Sequence, residues 1–241
     1  MIPESQVNQP AAKQLRKKAI AVYLTRETLS VAGMALILFW PAGTLDWGMG
    51  WALVALWAAW VMALAWIVIW RSPDMLMERL GAKRGSKNWD AIIASSLGLL
   101  QAARCILGGF DQRLGWSTGI SLPVQVAFLI IGILGGALFI WAVASNKFFS
   151  QVVRIQTERG HTVAQEGPYR FIRHPGYAGS ILMEIGAPLT LGSWWALIPS
   201  AVFIFLMVVR IVLEERALRA GLPGYPEFAH RVKYRLVPGI W

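Results

Sequence analysis

The sequence predicts an all-α fold, a polytopic integral membrane helical bundle of about six transmembrane helices. Three observations predict it. Hydrophobic residues make up 56% of the 241 positions and charged residues only 15%, which is outside the usual range for a soluble domain of this length. Apolar runs of roughly 20 residues, enough to cross the hydrocarbon core of a bilayer, recur along the chain. The 23 Lys and Arg residues, which set a net charge of +10, flank those runs instead of forming one block. That distribution argues for a membrane surface and against nucleic acid as the partner of the basic charge.

Taken in order, the runs fall at about 28–45, 50–70, 90–110, 122–143, 176–192 and 194–213. The first follows a long polar segment and shows no small-residue cleavage site after Trp40-Pro41, so it reads as a retained anchor. Alternating the loops collects the N-terminal Lys13 to Arg26, the second loop with Arg71, Arg79, Lys83, Arg84 and Lys87, the fourth loop with Lys147 to Arg173, and the C-terminal basic residues on one side. The other side holds Arg113. The positive-inside rule then predicts that both termini are cytoplasmic, as in a bacterial or archaeal inner membrane or the endoplasmic reticulum. Trp47, Trp51, Trp89, Trp116, Trp194 and Trp195 lie near predicted span ends, where interfacial aromatics belong.

Composition divides the chain in two: a tail and four-span scaffold over 1–144, and a functional region over 145–241. In the scaffold, Gly98, Gly132, Gly135 and Gly136 are expected to serve close helix packing. Arg104 lies near the outer end of its span and is expected to snorkel. The single cysteine, Cys105, allows no intrachain disulfide and is expected to be a packing residue. After residue 145 comes a polar stretch of about thirty residues, longer than a bare connection requires, then a hairpin turning at Leu191-Gly192-Ser193, then an amphipathic tail.

The stretch GPYRFIRHPGYAG, residues 167–179, opens the hairpin. Pro175 suits the first turn of a helix, which places His174 at its cap and leaves backbone N–H groups free to receive a carboxylate or phosphate. Gly176 and Gly179 leave room for a flat ligand near the backbone, and Tyr169 and Tyr177 offer aromatic faces with a hydroxyl. Arg210 and Glu214 share a helical face, where they either neutralise each other or face a ligand, whereas Glu215 points about 100° away and is expected in an exposed pair with Arg219. A polar loop from Gln156 to Ala164 carries His161 and Thr162. Glu184, about two turns into the fifth span, is either a catalytic acid or base or a neutral structural group. The three histidines lack a metal-ligand spacing, and no metal is expected.

The run Gln156…His161-Thr162-Val163…Gly167-Pro168-Tyr169…Arg173-His174-Pro175-Gly176-Tyr177-Ala178-Gly179, followed by Arg210…Glu214-Glu215…Leu218, resembles the isoprenylcysteine carboxyl methyltransferase family. That family sits within a wider group of membrane methyltransferases that includes phospholipid N-methyltransferases. The likeness covers roughly residues 145–241, with a shorter Gln156–His161 segment than in the eukaryotic enzymes. It implies a cytoplasmic pocket for the cofactor S-adenosyl-L-methionine, contacted by Gln156, His161, Thr162, Val163, Ala164, Tyr169, His174, Pro175, Gly176, Tyr177 and Glu214. Arg210 matches the substrate-binding arginine. The implied partners are membrane lipids and a lipophilic or lipidated substrate arriving from the bilayer, most simply an isoprenylcysteine-like carboxylate. A phospholipid amine or a thiol is the alternative within the class. An NADPH-dependent reductase akin to the sterol reductases, and a non-catalytic scaffold or transporter, are the alternatives outside it.

Overall fold

The computed structural model describes residues 9–71, 73–80 and 87–241, and among them every regular element is helical. In order these are α1 (Gln9–Ala42), α2 (Gly48–Trp66, continued by a π-helical turn Ile67–Arg71), α3 (Pro73–Leu80), α4 (Asn88–Leu114), α5 (Leu122–Ala144), α6 (Pro175–Thr190), α7 (Leu197–Gly221) and α8 (Tyr225–Arg231). Two 3₁₀ turns, Thr157–Arg159 and Gly167–Arg170, punctuate the loop between α5 and α6. Lys83 and Arg84, assigned from sequence to the second basic loop, lie outside the described residues.

Among the described residues, five helices are long and apolar enough to cross a bilayer: α1 from Lys13, α2 carried to Trp70, α4, α5 and α7. The expected fifth span is α6, with only 16 residues, about 24 Å at 1.5 Å per residue. It still joins the two ends of the bundle. At its start, His174 Nε2 lies 3.5 Å from Glu215 near the end of α7. Just past its finish, Ser193 donates a hydrogen bond to Asp111 near the end of α4. The first span starts well before residue 28, because residues 13–27 are rich in strong helix formers. α1 therefore has 34 residues, about 51 Å.

The beginning of α1 and the C-terminal tail lie at the same end of the bundle. Arg16 donates to the Ile69 carbonyl (3.2 Å) and Arg26 to the Arg79 carbonyl (3.1 Å), while Tyr23 packs with Val68, Met75 and Leu76. The opposite end is tied by Asp111, which accepts from the Ser117 amide (2.6 Å) and from the hydroxyls of Ser117 and Ser193.

Glycine sets the seam between α5 and α6. A Cβ on Gly179 would stand 2.5 Å from the Gly135 carbonyl oxygen and 2.7 Å from the Phe139 nitrogen. One on Gly135 would stand 2.7 Å from the Gly179 carbonyl oxygen, and one on Gly186 2.7 Å from that of Phe128. Gly179 therefore serves helix approach, not the ligand clearance that its place in the motif suggested. Gly98 departs in the other direction. It meets nothing within 4 Å and lines a cavity instead of a helix seam.

Arg104 corrects another expectation. It is only 5% exposed and forms an ion pair with Glu184, so it does not snorkel. Glu184 also accepts from Ser200 (2.8 Å), which joins α4, α6 and α7 through one buried carboxylate. Partnership across 80 residues of sequence is invisible to helical spacing. Gly179→Ala is expected to destabilise the protein by about 1–3 kcal/mol, through forced separation of α5 and α6, while Gly98→Ala stays near wild type. Thermal unfolding of the two variants in detergent measures the difference.

Candidate active site

The loop 145–174 crosses the pocket end of the bundle and is fastened there by three buried ion pairs or hydrogen-bonded charges. The first centres on Glu215, 2% exposed, which accepts from Arg173 Nε and from Arg235 Nε (2.7 Å) and has His174 Nε2 at 3.5 Å. Arg173 extends the clasp by donating from Nη1 to the carbonyls of Val232 and Lys233, each at 2.7 Å. Backbone bonds from Arg173 to Tyr234 (2.9 Å) and from His174 to Arg235 (3.0 Å) complete it. The expected exposed pair of Glu215 with Arg219 is therefore wrong. The acid facing away from Glu214 finds the returning tail instead of solvent.

The second fastening is Asp90, in the first turn of α4 and fully buried. Its Oδ1 accepts from Arg210 Nε and its Oδ2 from the Val153 amide, both at 2.7 Å. Arg210 also donates from Nη2 to the Gln151 carbonyl (2.8 Å), with its guanidinium 5.7 Å from the centre of the Tyr177 ring. The third is Gln156, fully buried, which donates to the Phe148 carbonyl (2.7 Å) and accepts from Arg159.

Between these fastenings lies a cavity of about 460 Å³, within the ~300–1,000 Å³ usual for small-molecule sites. From the loop it is lined by His161, Val163, Ala164, Tyr169 and His174, from α6 by Gly176 and Tyr177, and from α7 by Arg210 and Glu214. Gln156, Thr162 and Pro175 do not reach its wall, and Gln156 instead shapes the loop from behind. Glu184 lies apart as well, beside a smaller cavity of about 70 Å³ that it shares with Arg104. Phe148, Phe149, Tyr225 and Phe228 also line the main cavity, and sequence reasoning missed them. The Tyr225 and Phe228 spacing of three, on an amphipathic tail, was the available signal. For Asp90 the signal was an acid opening an otherwise apolar helix.

Several features give the cavity a defined chemistry. The Glu214 carboxylate faces it and accepts from the Tyr177 hydroxyl. α6 has no side-chain cap, so the first-turn amides of Gly176 and Tyr177 are not met by one. Gly176 is required for a reason beyond ligand clearance: a Cβ there would stand 2.9 Å from the Phe149 ring. Burial pushes the phenols of Tyr169 and Tyr225 well above their ordinary values, so both remain neutral. His161 Nδ1 accepts from the Gln156 amide (3.2 Å), and the ring lies 4.6 Å from that of Phe148. Burial, then the nearby Arg159 and Arg154, lowers its pKa.

Known proteins resemble the chain over much of this region. Residues 127–220, from α5 to the end of α7, match the isoprenylcysteine carboxyl methyltransferase family. A probable protein-S-isoprenylcysteine O-methyltransferase of Oryza sativa subsp. indica is 26% identical over 189 residues, which cover 72% of this chain and 93% of that protein. Its counterpart in subsp. japonica aligns to the same extent. Protein-S-isoprenylcysteine O-methyltransferase B of Arabidopsis thaliana is 29% identical over 92 residues, 37% of this chain and 47% of its own length. The rice alignments, at 72% of the chain, extend beyond residues 145–241, the stretch that carries the likeness in the sequence reading.

The fold and these matches define a methyltransferase built into a membrane. Over residues 127–220, the chain is similar to the isoprenylcysteine carboxyl methyltransferase family.

Two outcomes are expected of this architecture. Glu184→Gln is expected to cost about 3–5 kcal/mol by leaving Arg104 buried and unpaired, whereas Arg104→Met with Glu184→Leu is expected to unfold closer to wild type. Thermal unfolding of the three proteins checks this. The His161 imidazole is expected to titrate below the ordinary histidine value of about 6.5 in an NMR pH series. Because the unfolded chain takes up that proton first, the histidine's contribution to stability is complete above that value and declines as pH falls below it.

Proposed function

We propose that this protein transfers a methyl group from S-adenosyl-L-methionine to the carboxylate of an isoprenylcysteine-like lipophile. The reaction takes place at the pocket end of the bundle, and that end is cytoplasmic, with both termini on the same side, in an inner membrane or the endoplasmic reticulum. The observation that carries the reading is the Glu214 carboxylate on the cavity wall, beside an uncapped helix start and among aromatic faces. This donor and acceptor set fits an ammonium, a carboxylate and a flat adenine at once.

Bound there, the cofactor supplies a methyl group on a positively charged sulfur. Glu214 holds the ammonium or the ribose hydroxyls, the first-turn amides of α6 hold the carboxylate, and the loop around His161, Val163 and Ala164 borders the adenine. A carboxylate acceptor is already ionised at neutral pH, so no residue has to remove a proton. Glu184 is then not needed as a base, in keeping with its pairing to Arg104. Arg210 acts by position: its bonds to Asp90 and Gln151 fix the cavity wall beside Tyr177. The remaining contribution of the protein is alignment of the two reactants and exclusion of water.

Glu214→Gln, which can still accept from Tyr177, is expected to weaken binding of S-adenosylhomocysteine at least tenfold, the scale of one lost charge-assisted hydrogen bond. Isothermal titration of the purified protein measures it, with NADPH as the second titrant. Binding of NADPH in place of S-adenosylhomocysteine would sink the methyl-transfer reading in favour of a reductase.

A further inference from the structure

Among the described residues, four guanidinium groups line the main cavity, and three of them are balanced. Arg210 is paired with Asp90 (2.7 Å), Arg173 with Glu215, and Arg154 with Glu158 (2.8 Å). Arg79, on α3, is different. Among the described residues it forms no ion pair, and its buried Nε donates to nothing. Its titratable neighbours are Tyr23, whose neutral hydroxyl lies within hydrogen-bonding reach of it, Glu27 and Arg26, and the Glu27 carboxylate is held by Arg26 at 2.7 Å.

Two more buried donors share this condition on the adjoining α2 wall. Trp57 and Trp60 line the same cavity one turn apart, with ring centres 4.9 Å from each other, and the indole N–H of each is buried without a partner. A buried donor left unpaired is destabilising, so three of them bordering one cavity define a place for an acceptor. Because one of the three is an unbalanced cation, that acceptor is an anion. Glu214, the acid that α7 brings to the cavity, has the complementary charge and already serves the cofactor reading.

We propose that the wall formed by Arg79, Trp60 and Trp57 receives the carboxylate of the lipophilic methyl acceptor, and that Arg210 positions the site without supplying the pairing charge. This rests on the methyl-transfer reading and deepens it. It divides the cavity into a cofactor side on α6 and α7 and an acceptor side on α2 and α3. A lipophilic carboxylate is thereby favoured over a phospholipid amine, whose head carries a cation.

The test uses the full chain in detergent with N-acetyl-S-farnesylcysteine and its methyl ester, which differ only in the charge at issue. Wild type is expected to bind the acid more tightly than the ester. Arg79→Gln is expected to weaken acid binding about tenfold or more and to erase the preference, leaving the ester and S-adenosylhomocysteine affinities unchanged. Trp60→Phe is expected to weaken the acid by a smaller factor, and Arg79→Lys to recover part of the loss. The assignment is overturned by equal binding of acid and ester to wild type, by an unchanged preference in Arg79→Gln, or by a parallel loss of S-adenosylhomocysteine affinity, which would mark Arg79 as structural. Failure of wild type to bind S-adenosylhomocysteine would count against methyl transfer itself, whereas the acid to ester ratio decides the role of Arg79 separately.

Discussion

The cavity depends on one buried carboxylate. Glu215 receives Arg173 from the loop before α6 and Arg235 from the tail after α8, with His174 beside it, so two segments distant in sequence converge on a side chain of α7. A carboxylate this deeply buried is tolerable only when its oxygens are fully engaged by opposite charge. The arrangement is therefore close to all or none: tail, loop and helix end must all arrive for any of them to be stable there. That cooperativity fixes His174 at the helix cap and brings Tyr225 and Phe228 to the cavity.

The neighbouring acids show how position on a helix separates tasks. Glu214 and Glu215 are adjacent in sequence, yet the first opens on the cavity and the second is enclosed by arginines. Asp90 adds a third arrangement, joining the start of α4 to the loop and to Arg210. Arg104 and Glu184 lie deeper, where an uncompensated charge is costly, and there each neutralises the other. The protein thus spends most of its buried charge on holding segments together and leaves little for a ligand.

Local chemistry was legible in the sequence. The apolar runs, the hairpin turn at Gly192 with its positive φ of 72°, and the inward face shared by Arg210 and Glu214 followed from composition, glycine conformation and helical period. Contacts across the chain were not legible. Nothing in the spacing of Glu215 and Arg219 announced Arg173 and Arg235, and nothing near Arg104 announced Glu184 80 residues on. Gln156 reads as a cofactor contact because it matches the family's motif. Its burial behind Phe148 follows from folding of the loop upon itself, which no periodicity encodes.

The seam between α5 and α6 also governs traffic. Where Gly135 and Gly179 bring two backbones so near that a single methyl group has no room, no acyl or prenyl chain can slip between them. That flank of the bundle is shut to lipid, and on the proposed reading a lipophilic acceptor comes instead by the cavity walls that Trp60, Leu97 and Phe203 line.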